Sequence, residues 1–116
     1  MFERGFMKNE AETSREKEAL KRFVIGDYAK IAILEQLAKG EWCTLGELCR
    51  IAKNYDKYIG PVRVSTILLY IEKIAKNVLE KSEGGTLIKW RVKPEKVKVI
   101  EECVEEVKTR SYRKTI

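Results

Sequence analysis

The sequence predicts a mostly α-helical domain with one small β-hairpin, and three observations predict it. Apolar residues recur at the i, i+3, i+4 spacing of buried helix faces along most of the chain. Helix-start chemistry stands at two internal points, the capping box Thr44-Leu-Gly-Glu47 and Pro61 at a first helical position. The period then changes from 3.6 to 2 around Gly84-Gly85, a dipeptide that marks a hairpin between strand-like runs.

In chain order, residues 1–12 carry two phenylalanines and mixed charge without periodicity, and they predict a flexible arm. Thr13-Ser-Arg-Glu16 is a second capping box. It opens a charged helix whose stripe is Ala19, Leu20, Phe23 and Val24. Gly26-Asp27 predicts a break and a new N-cap. The helix that follows buries Tyr28, Ile31, Leu34, Leu37 and Ala38, and Gly40 ends it. Glu41-Trp42-Cys43 is extended, a short strand expected to pair with the hairpin and to lay Trp42 against the core.

Thr44 caps a helix from Leu45 to about Lys53, with Leu45, Leu48, Ile51 and Ala52 on its apolar face. A connector of about seven residues, Asn54 to Gly60, leads to the helix that Pro61 opens. Val64, Ile67, Leu68, Ile71, Ile74 and Ala75 form its buried face, and Asn77 is expected to terminate it in the left-handed region. In the hairpin, Thr86, Ile88, Trp90 and Val92 share one face, and Leu87, Lys89 and Arg91 the other. From Pro94 a last helix runs to about Thr109. Its Val97, Ile100, Val104 and Val107 are spaced three, four, three, the a/d seam of a coiled coil. Such a narrow stripe either folds back on its own domain or pairs with a second subunit, and the short domain favours pairing.

Helix, helix, connector, helix, hairpin is an order that resembles the winged helix-turn-helix superfamily over roughly Asp27 to Val92. The division it implies is a flexible arm (1–12), a winged helix-turn-helix domain with an N-terminal extension (13–93, core 27–92), a C-terminal dimerisation helix (94–110) and a tail (111–116). The connector departs from the pattern, being longer than the three or four residues of a typical helix-turn-helix.

Composition narrows the function. The 116 residues include three cysteines, an odd number without a CxxC, and no histidine. The commonest general base and the commonest metal ligand are thus missing. Neither a nucleophile–histidine pair nor a glycine-rich phosphate loop is present, so the expectation is no catalysis, no metal and no cofactor. No signal peptide or apolar span is visible, and a reducing, cytoplasmic setting away from membranes is expected. Charged residues make up 36% of the chain, mostly lysine and glutamate, a balance met in thermophile proteins. Net charge is +6, of which residues 61–93 carry +4, from seven basic and three acidic side chains. A solvated face needs no such asymmetry, whereas a phosphate-binding surface does.

The resemblance implies double-stranded DNA as partner, with the Pro61 helix in the major groove and the hairpin as a wing beside it. On the outward face of that helix, Arg63 can pair with guanine, and Ser65 and Thr66 can touch bases. Tyr70, Lys73 and Lys76 are placed for phosphates, as are Lys57 of the connector and Lys89 and Arg91 of the wing. The function expected is that of a homodimeric transcriptional regulator with modest sequence discrimination, joined through Val97, Ile100, Val104 and Val107. Outward-facing Val62 and Leu69 fit a winged helix used as a protein-interaction module instead. Non-specific architectural DNA binding is a third reading.

Overall fold

The computed structural model describes the backbone of residues 2–85 and 87–114 and the side chains of residues 13–85 and 87–109. The described residues form five α-helices and a three-stranded antiparallel sheet. The elements run α1 (Phe2–Val24), α2 (Tyr28–Leu37), β1 (Cys43–Thr44), α3 (Leu45–Ala52), α4 (Pro61–Ile74), β2 (Leu79–Ser82), β3 (Lys89–Val92) and α5 (Val97–Lys114). Met1, Thr86 and residues 115–116 lie outside the described residues, and with them the start of the expected arm, the expected place of Thr86 on one hairpin face and the end of the tail.

Local chemistry sets most of the boundaries. Val24 is the last residue of α1, and Gly26 takes a φ of +80°, which a side chain would make costly. Asp27 then caps α2, its Oδ1 accepting from the Lys30 N–H at 3.1 Å. Gly40, with φ +79°, turns the chain out of α2 into β1. Thr44 Oγ1 accepts from the Glu47 N–H at 3.2 Å and starts α3. Pro61 opens α4, where its missing N–H costs no helical hydrogen bond.

Three boundaries differ from expectation. The α1 helix begins at Phe2, so residues 2–12 have helical backbone and Thr13 caps nothing. Apart from Gly5, this stretch contains no breaker, and one glycine costs a helix only about 1 kcal/mol. Thr13 Oγ1 instead meets Lys96 Nζ at 3.3 Å. At the other end, α5 continues through 111–114, residues expected as a tail. Asn77 is not left-handed, for no described residue other than glycine has a positive φ. The α4 helix ends at Ile74 because buried Ala75 already adopts an extended φ of −136°, steering Val78 into the core.

The sheet order is β1-β3-β2, with Cys43 opposite Trp90 and Glu80 opposite Arg91. The expected pairing of the short strand with the hairpin is therefore present. The orientation of Trp42 is not as expected: Cys43 points inward, and Trp42 stays 37% exposed. Alternation along a strand sends one of two neighbours outward, and the buried thiol takes the inner place. Burial raises the Cys43 thiol pKa.

One core joins all the helices, built on Leu20 and Val24 of α1, Ile33, Leu34 and Leu37 of α2, Leu48 of α3 and Val64, Leu68 and Ile71 of α4. The a/d stripe of α5 belongs to it as well. Ile100 and Val107 are fully buried, Val104 nearly so, and Val97 packs at the edge. The α5 helix lies against α1 and α2 of its own chain, so the expected dimer seam of Val97, Ile100, Val104 and Val107 is corrected to an intrachain contact. Leu20 and Val24 of α1 and Leu34 and Leu37 of α2 share that core. Cys103 sits in the same contact, and burial pushes its thiol up to about 11. All three cysteines are free and buried.

Ion pairs frame this contact. Lys21 Nζ, almost fully buried, reaches Glu106 Oε2 at 2.6 Å, and Lys17 Nζ reaches Glu106 Oε1 at 3.0 Å. Hydrogen bonds from Lys21 and Lys17 hold the Glu106 carboxyl below its usual range. A lowered folded-state pKa adds stability above the unfolded value of about 4.3, and that stability is lost as pH falls through the folded value. Glu106→Gln is expected to cost on the order of 1 kcal/mol at pH 7, kept small by the exposure of the carboxylate. Melting curves between pH 7 and pH 3 check this, and the gap between wild type and variant should close towards the acid end.

Candidate nucleic-acid interface

The outward face of α4 follows from the inward one. Val64, Ile67, Leu68 and Ile71 are buried, so at 100° per residue Val62, Arg63, Thr66, Leu69 and Lys73 turn towards solvent. Arg63, Lys73 and Lys76 are exposed and form no ion pair among the described residues. The pairs Lys17–Glu102, Lys21–Glu18, Lys21–Glu106, Lys30–Asp27 and Lys108–Glu35 all lie on the α1–α2–α5 side. Arg15, Arg22, Lys39 and Lys98 are exposed without an ion pair as well, but among the described residues every ion pair other than Arg91–Glu80 lies on that side and none involves α4.

The expected contact residues divide by what they already touch. Thr66 Oγ1 donates to the Val62 carbonyl at 2.9 Å, which leaves its methyl to face outward. Ser65 is half-buried at the flank of the helix. Tyr70 stacks on Phe23 of α1 with ring centroids 5.7 Å apart, and Lys30 Nζ stands 4.1 Å from the centre of the same Phe23 ring. These contacts fix Tyr70 as part of the α1–α4 joint while leaving half of its surface open.

The connector between α3 and α4 runs 53–60 and is ordered by its own groups. Asp56 Oδ1 accepts from the Tyr58 N–H at 3.1 Å, Ile59 is buried, and Tyr55 stacks on Tyr28 with centroids 6.4 Å apart. Lys57 lies over the Tyr58 ring at 5.1 Å, and both side chains are open to solvent beside the start of α4.

On the hairpin the two basic candidates differ. Lys89 is exposed and forms no ion pair among the described residues. Arg91 Nε donates to Glu80 Oε2 at 2.9 Å, and its guanidinium lies 4.4 Å from the centre of the Trp42 ring. Antiparallel register sets Glu80 opposite Arg91, and β1 brings Trp42 alongside. As a free phosphate ligand Arg91 is therefore corrected: its charge is already neutralised and its plane covered. Leu87 and Ile88 stand exposed near the hairpin tip, although the alternation puts Ile88 on one face with buried Val92. The strand begins only at Lys89, so alternation does not reach Ile88.

No family model, no curated protein and no solved structure matches this chain. Among the described residues, no group of three or more cysteine, aspartate or glutamate side chains converges as a metal site. No described helix is long and apolar enough to cross a membrane.

Sequence reasoning did not place α1 beside the C-terminal half of α4. Arg15 and Glu16 line a groove there with Lys73, Ile74, Lys76 and Asn77. No local signal in the sequence marks this approach, because the two segments lie far apart along the chain.

Proposed function

We propose that the chain binds double-stranded DNA as a winged-helix transcriptional regulator, with α4 as the recognition helix and the β2–β3 hairpin as the wing. The observation that carries the reading is a set of exposed cations on α4 and the hairpin that no acid neutralises. Arg63, Lys73, Lys76 and Lys89 form no ion pair among the described residues, and residues 61–93 hold +4 of the net charge of +6. Unpaired cations attract a polyanion, and phosphate neutralisation releases condensed counterions.

In this reading Arg63, at the N-terminal end of α4, reads guanine. Lys73, Lys76 and Lys57 lie against phosphates, and Lys89 follows the adjoining backbone. The Thr66 methyl, Val62 and Leu69 meet thymine methyls. Base readers are few, so sequence discrimination is modest. The reading requires no second subunit through α5, whose stripe lies in the chain's own core.

Salt titration of duplex binding tests the proposal. Affinity is expected to fall linearly with log salt, and Lys89→Ala should reduce the slope by about one unit on any sequence. A second reading, a protein-interaction module, draws on Val62 at 82% and Leu69 at 63% exposure. A surface of that kind binds its partner with little dependence on salt, and duplex DNA that fails to bind at low salt would favour it.

A further inference from the structure

The connector between α3 and α4 holds a large ring out in water on an ordered backbone. The N–H groups of Asn54, Tyr55 and Asp56 donate to carbonyls at the end of α3, and the Ile59 N–H donates to the Asp56 carbonyl at 3.1 Å. Asp56 Oδ1 accepts from the Tyr58 N–H, and the Ile59 side chain is buried. Between these anchors Tyr58 is 85% exposed. Tyr55 already stacks on Tyr28, whereas the Tyr58 ring meets the Lys57 ammonium, which is itself open to solvent. Core packing does not account for a ring held in this way, and its π-face is free to stack. The surrounding stretch is basic. From Leu48 to Ile71 the chain carries Arg50, Lys53, Lys57 and Arg63 against Asp56 alone. All four cations are exposed and form no ion pair among the described residues.

We infer that the connector binds unpaired nucleotides of a DNA strand, with a base stacked on Tyr58 and phosphates on Lys53 and Lys57. The partner follows from what each alternative leaves unmet. An acidic peptide matches the cations and leaves the ring in water. An apolar helix covers the ring and strands the cations. A duplex matches the cations, but its bases already stack on one another. A single strand offers phosphates and free base faces together, and stacking of this kind tolerates any base. The connector leads directly into the N-terminal end of α4. The preferred target is therefore a duplex with a single-stranded tail; that the strand is DNA and joins a duplex rests on the DNA reading.

Fluorescence anisotropy of the full chain with three labelled DNAs tests the site. They are a blunt duplex, the same duplex with a tail of about six thymidines, and the same duplex with a tail of as many abasic units. The thymidine tail is expected to tighten binding at least about fivefold over both others, since the abasic tail matches its phosphates and lacks its bases. Tyr58→Leu should remove that gain and Tyr58→Phe should keep it, because leucine retains apolar area without a π-face. Equal binding of the thymidine and abasic tails, or a gain that survives Tyr58→Leu, overturns the inference and leaves the duplex reading standing. Free single strands separate the two from the other side. An oligothymidine that binds through Tyr58, beside a blunt duplex that binds at no salt, overturns the duplex reading and leaves the stacking site standing. An RNA strand of uridines bound tighter than the oligothymidine overturns DNA as the ligand. Failure of every strand and duplex to bind overturns both readings and leaves Tyr58 to a protein partner.

Discussion

Replacing Ile100 by lysine is expected to abolish cooperative folding or to lower the unfolding free energy by more than about 4 kcal/mol. Ile100 is fully buried where α5 meets the rest of the chain. Its removal forfeits about 2–3 kcal/mol of apolar burial. The ammonium that replaces it has to be desolvated or has to pry α5 away, and either route costs several kcal/mol more. Domains of this size are stable by about 5–15 kcal/mol, so the substitution consumes much of the margin. Urea titration followed by circular dichroism measures the effect. A folded, monomeric Ile100→Lys protein of wild-type stability would restore the intersubunit seam that the spacing alone suggested and would contradict the packing of α5 described above.

That seam shows where local sequence information ends. The spacing of Val97, Ile100, Val104 and Val107 specifies a narrow apolar stripe, and a stripe does not name the surface that covers it. The partner surface comes from α1 and α2, which lie distant in sequence from α5. The starts of α2, α3 and α4 were legible because Asp27, Thr44 and Pro61 act on backbone groups within three residues of themselves. The hairpin was legible for the same reason, through Gly84-Gly85, although its strands are shorter than the alternating runs suggest.

The candidate face divides in the same way. Helical periodicity alone placed Arg63, Thr66, Leu69 and Lys73 outward. It could not show that Thr66 bonds its own helix or that Arg91 meets Glu80 and Trp42, since those contacts depend on rotamer and register. The Arg15–Glu16 wall required the helix crossing itself.

Reversing charge on one side of the molecule and not the other is expected to give the largest functional effect. Arg63→Glu with Lys73→Glu takes the net charge from +6 to +2. Lys39→Glu with Lys98→Glu does the same from exposed positions near α5, where Lys39 borders a groove lined by Glu35, Glu101 and Glu105. If binding follows net charge alone, the two variants weaken duplex affinity equally. If α4 lies in the groove, the first pair loses two contacts and gains two repulsions at contact distance. Duplex affinity should then fall by at least about a hundredfold, a loss of about 2.8 kcal/mol or more. The control pair, which lies outside the proposed face, should lose less than about threefold at physiological salt, where charges beyond a Debye length of about 8 Å are largely screened. Fluorescence anisotropy with a labelled duplex measures both, and matched melting temperatures exclude unfolding as the cause. Equal losses would reduce the interface to a diffuse charge effect, and no loss in either variant would turn the exposed Val62 and Leu69 ridge towards a protein partner.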